Sequence, residues 1–91
     1  MERNEISIHE ARVYKAFVDN GERWVTSKEL SVIAQVAERT ARAHARKLTL
    51  LGIVDLAEVF PAHRYRLSSK ASKRNKGYAQ RLAAACEVMG V

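Results

Sequence analysis

Apolar side chains recur along this chain with two different spacings, and these spacings divide it into helical and extended segments. From Ile6 to Asn20 they recur every three or four residues, which is the period of one helix face. Ser7 and Glu10 form an S-x-x-E capping box, in which each side chain satisfies the other residue's free backbone N–H. Gly21 follows and can end a helix in the left-handed conformation. The pattern therefore predicts a first helix over residues 6–20.

Two further helical segments follow with only a tight turn between them. Thr26 and Glu29 repeat the capping box, which predicts a second helix running to near Gln35. A third helix is predicted to start near Ala37 or Glu38 and to be closed by Gly52 at its C-terminal end. The residues expected on its buried side are Val36, Ala41, Ala45 (or His44), Leu48 and Leu51.

Segments that favour extended structure flank this helical pair. Residues 23–26 are rich in β-formers and predict an extended link or a very short strand. Residues 53–60 partly alternate apolar with acidic side chains, and residues 63–67 alternate basic with apolar ones. These two runs predict a hairpin that turns at about residues 60–63, with Tyr65 and Leu67 facing inward. Phe17 and Trp24 are expected in the core.

The C-terminal quarter predicts one more helix. Residues 68–75 form a polar, strongly basic connection, and a helix is predicted over Lys76–Met89, with Ser69 or Ser72 as its cap and Gly90 as its end. Its apolar stripe is expected to comprise Tyr78, Leu82, Ala85 (or Cys86) and Met89. We therefore divide the chain into a domain over residues 1–68 and a basic linker with a helix over residues 69–91.

This order of elements resembles the winged helix-turn-helix family of bacterial and phage DNA-binding proteins. The family repeatedly shows a T-x-x-E-L-A entry, a V-S-x-R-T-V-x-R start of the second helix of the pair, and L-x-x-L-G-[IL]-[VI] leading into the wing. The matching segments here are Val25-Thr26-Ser27-Lys28-Glu29-Leu30, Val36-Ala37-Glu38-Arg39-Thr40-Ala41-Arg42, Leu48 and Leu51-Gly52-Ile53-Val54. The resemblance covers about residues 6–68. It implies a mainly α-helical fold with a small β-hairpin, built from a three-helix core, a two-stranded wing and an extra C-terminal helix.

The chain departs from the family pattern at two positions. Ala37 stands where the family has a Ser, Thr or Asp cap, which weakens the N-terminus of the third helix. Ala41 stands where the family has a larger aliphatic residue, which indicates a closer approach of the second and third helices.

The third helix carries the residues expected to contact DNA. The major groove of B-DNA, about 12 Å wide, admits an α-helix. Residues 39, 42, 43 and 46 lie on one face, and no acidic residue occurs between 39 and 54. We expect Arg42, with Arg39 beside it, to contact base edges, while Ala43 permits close approach. The other expected contacts on this helix are Arg46 on the same face and Thr40 and Lys47 at phosphate oxygens. Glu38 is expected to act at the helix start, with acceptance from a cytosine amino group as the alternative.

Wing and tail residues extend this expected footprint. In winged helices the wing tip often lies along a phosphate strand or enters the minor groove, which implies contacts for His63 and Arg64. A second group is either a phosphate-binding extension or a flexible basic linker: Lys70, Lys73, Arg74 and Lys76.

Charge is distributed unevenly along the chain. The net charge is +6, but residues 1–38 carry a net −2, whereas residues 39–81 hold eleven basic and two acidic side chains. A basic half beside a nearly neutral half is typical of proteins that bind polyanions.

Catalytic, metal and cofactor motifs are absent from the sequence. The three histidines are scattered, and the chain has no Gly-rich phosphate loop and no nucleophile elbow. We therefore expect no enzyme activity, no metal and no cofactor. Cys86 cannot form an internal disulfide and lies on an apolar stripe, which favours a structural thiol in a reducing compartment. No secretory signal and no membrane span are predicted, so a cytoplasmic, nucleoid-associated location is expected.

These observations favour sequence-specific binding of double-stranded DNA by a small transcriptional regulator. The alternatives are a winged-helix module that binds protein, and an accessory factor of replication or recombination. For the C-terminal helix two arrangements are open. It folds back on the first helix of its own chain, or its Ala-rich face pairs with a copy in a homodimer that reads a palindromic site.

Overall fold

The structure, a computed structural model, describes residues 6–91. Residues 1–5 lie outside the described part. They include the start of the domain predicted over residues 1–68 and the residues on which the expectation of no secretory signal rests. The elements in chain order are α1 Ile8–Asn20, β1 Val25–Thr26, α2 Ser27–Ala34, α3 Glu38–Leu50, β2 Val54–Ala57, β3 Arg64–Leu67, α4 Ala71–Arg74 and α5 Lys76–Met89. The predicted helices and hairpin are thus confirmed, with shorter strands and an added one-turn helix.

The helix caps follow the sequence signals at α2 and only in part at α1. At α2, Thr26 and Glu29 form both bonds of the capping box, with N–H···O distances of 3.1 and 2.9 Å. At α1, Ser7 Oγ accepts from the Glu10 N–H at 3.1 Å, but the Glu10 side chain is buried and turns to the interior. The α1 capping box is therefore half formed, and the helix starts two residues later than predicted.

The turn between α2 and α3 spans residues 35–37. Gln35 adopts a left-handed conformation with φ 59°, and Val36 N–H donates to Ser31 O at 3.1 Å. Ala37 gives α3 no side-chain cap. The predicted buried side of α3 is confirmed, because Ala41, Ala45 and Leu48 are each fully buried.

A three-stranded antiparallel sheet, in the order β1-β3-β2, covers one edge of the helices. Val25 pairs with Tyr65, and Tyr65 pairs in turn with Leu56 on β2. Tyr65 is buried, and Leu67 packs against the core, so both predicted inward positions are confirmed. β2 ends three residues sooner than predicted and β3 begins one residue later, which leaves residues 58–63 as an exposed wing tip.

The C-terminal helix packs into the same core as the first three helices. Leu82 is fully buried and belongs to one cluster with Phe17 and Leu48, and the Cys86 thiol donates to Ala11 O on α1 at 3.4 Å. The boundary that the sequence places after residue 68 therefore does not divide the core. Of the predicted stripe, Leu82 and Cys86, the alternative to Ala85, are buried and Tyr78 packs against the core, whereas Met89 is exposed. Ala79, which was not predicted, is also buried.

Asn75, not Ser69 or Ser72, caps α5. Its Oδ1 accepts from Tyr78 N–H at 3.4 Å, and its Nδ2 donates to Leu51 O at 3.2 Å, which ties the start of α5 to the end of α3. Within the predicted polar and basic connection, residues 71–74 form the single turn α4, which the sequence analysis did not predict.

Trp24 is not a core residue, in contrast to the sequence prediction. Its side chain is 38% exposed, and the Arg66 guanidinium lies 4.4 Å from its ring centroid. Phe17, predicted in the same way, is fully buried. A tryptophan can lie at the surface because a guanidinium stacks favourably on its face.

Candidate nucleic-acid interface

The outer face of α3 carries the predicted DNA-contact residues. At 3.6 residues per turn, Arg39, Ala43 and Arg46 lie opposite the buried row of Ala41, Ala45 and Leu48. Arg39, Arg42, Ala43 and Arg46 are all exposed. Arg39 and Arg46 have no ion pair with any other residue in the range 6–91. The face is therefore positively charged and open to a partner.

Arg42 lies on the side of α3 that borders the wing. There, a groove of about 620 Å³ separates α3 from the wing. Its walls include Arg42 and Arg46 on the helix and His63 and Tyr65 on the hairpin. The fold thus brings two arginines of α3 and one predicted wing residue to the same groove.

Glu38, expected to act at the start of the third helix, is the first residue of α3, where a negative charge favours the helix dipole. In the described part of the chain its Oε2 accepts from two side chains, Ser27 Oγ at 3.2 Å and Arg42 Nη2 at 3.2 Å. The carboxylate therefore joins the first residue of α2 to the second turn of α3 on the wall of the groove.

Thr40 and Lys47 lie on the opposite flank of α3, which borders α1. Thr40 is half-buried. Lys47 Nζ donates to Glu10 Oε1 at 3.0 Å, and Tyr78 Oη donates to the second oxygen of the same carboxylate. Glu10 is 2% exposed, so Lys47 neutralises a buried charge. This partner was not visible in the sequence because it lies 37 residues away.

The titration of this cluster reflects its burial and its hydrogen bonds. Burial lowers the pKa of Lys47, but hydrogen bonds with Tyr78 and Glu10 outweigh it, so the net pKa is raised. Burial, followed by the bond to Glu10, raises the pKa of Tyr78. Burial lowers the pKa of the neighbouring His44 below its ordinary value of 6.5, despite the opposing field of Glu10.

Both predicted wing residues are exposed. His63 precedes β3, and Arg64 is its first residue, paired with Ala57 on β2. Sequence reasoning missed two apolar side chains near this surface. Phe60 at the wing tip is 96% exposed, and Leu50 at the end of α3 is 86% exposed. The sequence pattern placed Phe60 at the end of the run 53–60, where the hairpin was predicted to turn, and gave no expectation of its exposure.

The four basic residues of the tail divide into one paired and three free side chains. Arg74 Nη1 lies 3.3 Å from Asp55 Oδ1, and Arg66 Nε lies 3.5 Å from the other oxygen. Within residues 6–91 no ion pair involves the three exposed lysines of this segment, Lys70, Lys73 and Lys76.

Other kinds of site find little support in the described residues. Residues 6–91 contain no group of three His, Cys, Asp or Glu side chains that could hold a metal ion. The Cys86 thiol is buried, and burial raises its pKa, as expected of a structural thiol. Among the described helices, none has both the length and the apolar character needed to cross a bilayer.

No protein-family model matches the chain, and no curated protein is significantly similar to it. Solved structures are similar. A protein described as a possible transcriptional regulator from Methanosarcina mazei Go1 is 19% identical with a TM-score of 0.65, over 90% of this chain and 78% of that one. A protein from the thermoacidophilic archaeon Sulfolobus tokodaii is 24% identical with a TM-score of 0.62, over 94% and 84%.

A MarR family transcriptional regulator from Silicibacter pomeroyi DSS-3 is 18% identical with a TM-score of 0.60. The match covers 91% of this chain but 56% of that regulator. At these identities the likeness establishes the fold. The chain has a winged-helix fold, mainly helical with a small antiparallel sheet, like that of these regulators.

Proposed function

We propose that this protein binds double-stranded DNA sequence-specifically as a small transcriptional regulator. The observation that carries the proposal is the outer face of α3, where Arg39, Arg42 and Arg46 surround Ala43 and the chain has no acid from 39 to 54. A surface helix that merely faces solvent usually mixes acidic with basic side chains. The likeness to structures of transcriptional regulators supports the same function.

In this proposal α3 enters the major groove and the wing lies along the backbone or in the minor groove. Ala43 lets the helix backbone approach the bases, and Arg42 and Arg39 reach base edges. Arg46 adds to the same face, Thr40 is proposed to contact phosphate oxygens, and His63 and Arg64 extend the contact from the wing. Such a regulator acts on chromosomal DNA in the cytoplasm, at the nucleoid.

Selection from random duplex DNA, followed by affinity measurements, tests the proposal. Arg42→Ala is expected to cost about 1–3 kcal/mol on the selected site and to relax preference at one position. Arg23→Ala is the matched control, because Arg23 is also exposed but lies before β1 and does not line the groove between α3 and the wing. Equal affinity of both variants and the wild type would remove α3 as the reading element. Failure to bind any duplex would refute the proposal and favour the alternative of a winged-helix module that binds protein.

The free lysines of the tail are proposed to contact phosphates. Replacing Lys70, Lys73 and Lys76 with Gln is expected to reduce the slope of log affinity against log salt by about 0.9 for each lost contact, with the preferred sequence unchanged. Arg74 is left in place because it pairs with Asp55. An unchanged slope would identify the three lysines as a solvated linker.

We also propose a homodimer through α5, which would place two copies of α3 on a palindromic site. Leu82 is buried in its own chain, so the contact must use the outer face of α5. Val88 is 87% exposed on that face, near the small and exposed Ala84. Sedimentation equilibrium is expected to give twice the 10.2 kDa chain mass, and the chain mass for Val88→Glu. A wild type at the chain mass would refute the dimer.

A further inference from the structure

Glu38 places a negative charge on the wall of the groove where the proposed reading helix meets the wing. It is the first residue of α3, and its carboxylate is fixed at two points, by Ser27 Oγ and by Arg42 Nη2, both at 3.2 Å. Ser27 is itself the first residue of α2 and therefore belongs to a different helix. The carboxylate is thus held by the helix pair and not by α3 alone.

This pairing restrains the direction of Arg42. A long arginine side chain near a duplex is drawn to the closest phosphate, and phosphate contacts carry no direct sequence information. A carboxylate one turn earlier on the same helix draws the guanidinium back over the groove and repels the phosphate oxygens. Holding the side chain before binding also reduces the rotamer entropy that a base contact must overcome.

We propose that Glu38 is a positioning residue that directs Arg42 to a base edge and away from the DNA backbone. This inference rests on the proposed function. Both side chains are about half exposed, at 45% and 52%, so in free protein the pair contributes little to stability. Once DNA excludes water from the groove, the same interaction strengthens. Its effect is therefore expected in base selectivity and not in folding.

The chain offers a matched control for the loss of one negative charge. Glu58 lines the same groove from the wing side, is exposed, and forms no ion pair with any residue of the described part. Glu38→Gln and Glu58→Gln therefore remove the same charge from opposite walls of one groove. Only Glu38→Gln also removes the ion-pair partner of Arg42.

The experiment measures affinities of the wild type and of variants for a selected duplex, for the same duplex changed at the base pair that depends on Arg42, and for an unrelated duplex. We expect Glu38→Gln to lower the selected-to-changed affinity ratio about tenfold, the scale of one bidentate base contact. Affinity for the unrelated duplex is expected to rise by up to about threefold at low salt. Glu58→Gln is expected to give only the second effect. Ser27→Ala is expected to lower the ratio less than Glu38→Gln.

A double-mutant comparison separates positioning from direct reading. In an Arg42→Ala background, Glu38→Gln is expected to leave the ratio unchanged, and thermal unfolding of Glu38→Gln is expected to match that of the wild type. A tenfold change in ratio that persists without Arg42 would overturn the inference and assign base reading to Glu38 itself. If the wild type is selective and Glu38→Gln has the same selected-to-changed affinity ratio, this inference is overturned but the proposed function is not. If the wild type binds no duplex selectively, both the inference and the proposed function are overturned.

Discussion

Lys47→Met separates a structural role of Lys47 from the phosphate contact that its place on α3 suggested. The substitution keeps a long flexible side chain but removes the cation 3.0 Å from the buried Glu10 carboxylate. Glu10 then retains the Tyr78 hydroxyl as its donor. We therefore expect a loss of stability with little change in the salt dependence of DNA binding.

The expected magnitude lies between the values for exposed and buried ion pairs. Removing one partner of a fully buried pair costs about 3–5 kcal/mol, whereas exposed pairs contribute roughly 0–1 kcal/mol. The Glu10 side chain is 3% exposed, whereas the Lys47 side chain is 48% exposed. Solvent therefore screens the charge of Lys47 but hardly reaches the Glu10 carboxylate. With the Tyr78 bond retained, we expect a loss of about 2 kcal/mol, or roughly 10 °C in Tm for a chain of this length.

Urea unfolding followed by far-ultraviolet circular dichroism measures this loss. Arg46→Met is the matched control: it removes a neighbouring cation of α3 that has no acidic partner within residues 6–91, and is expected to stay within about 0.5 kcal/mol of wild type. A double variant, Glu10→Leu with Lys47→Met, should recover part of the loss because no unpaired charge stays buried. The structural role is refuted if Lys47→Met is as stable as Arg46→Met and instead lowers the salt slope of DNA binding.

Three further substitutions test the packing around the interface. Gly52→Ala is expected to lower the free energy of unfolding by about 1–3 kcal/mol, because Gly52 has φ +82° and an added Cβ would lie 3.1 Å from Arg74 Cβ. Gly77→Ala is the control, because its added Cβ meets nothing within 4 Å, and it should not destabilise the protein in the same urea assay. Asn75→Ala is expected to lower Tm by removing the α5 cap, at about 1 kcal/mol, and Asn75→Asp should restore the part due to capping. Because folding lowers the pKa of His44, its contribution to stability is present above pH 6.5 and is lost as the pH falls through the lowered folded-state pKa. His44→Gln should therefore flatten stability against pH in that acidic window, and an unchanged curve would contradict the shift.

The helices were predictable because their signals are local. The capping residues and the spacing of Ala41, Ala45 and Leu48 lie within a few residues of the structure that they specify. The same holds for Gly21, which ends α1 with a positive φ of 64°. The exposed face of α3 follows from the same periodicity, since a face opposite a buried row must meet solvent.

The partners of individual charges were not predictable, because they depend on which helices pack together. Glu10 was assigned to a capping box, yet its carboxylate binds Lys47 and Tyr78 from two other helices. Trp24 was placed in the core on its hydrophobicity alone, but its position at the sheet edge lets Arg66 cover it. Both errors arise where a local rule competes with a contact between residues distant in sequence.

The ion pairs within the fold also determine which basic side chains have no acidic partner and can interact with a binding partner. Asp55 is flanked by Arg66 and Arg74, and Glu10 is matched by Lys47, so these cations are partly neutralised where they stand. By contrast, the described residues offer Arg39 and Arg46 no acidic partner, and both lie on the outer face of α3. At about 0.1 M salt, electrostatic interactions between exposed charges extend over roughly 10 Å. An anion near the surface therefore interacts with the charged side chains close to it and not with the net charge of the chain. Under the proposed function, Arg39 and Arg46 of α3 and Arg64 of the wing, none of which has an ion pair within residues 6–91, are the side chains expected to attract a phosphate backbone to this face.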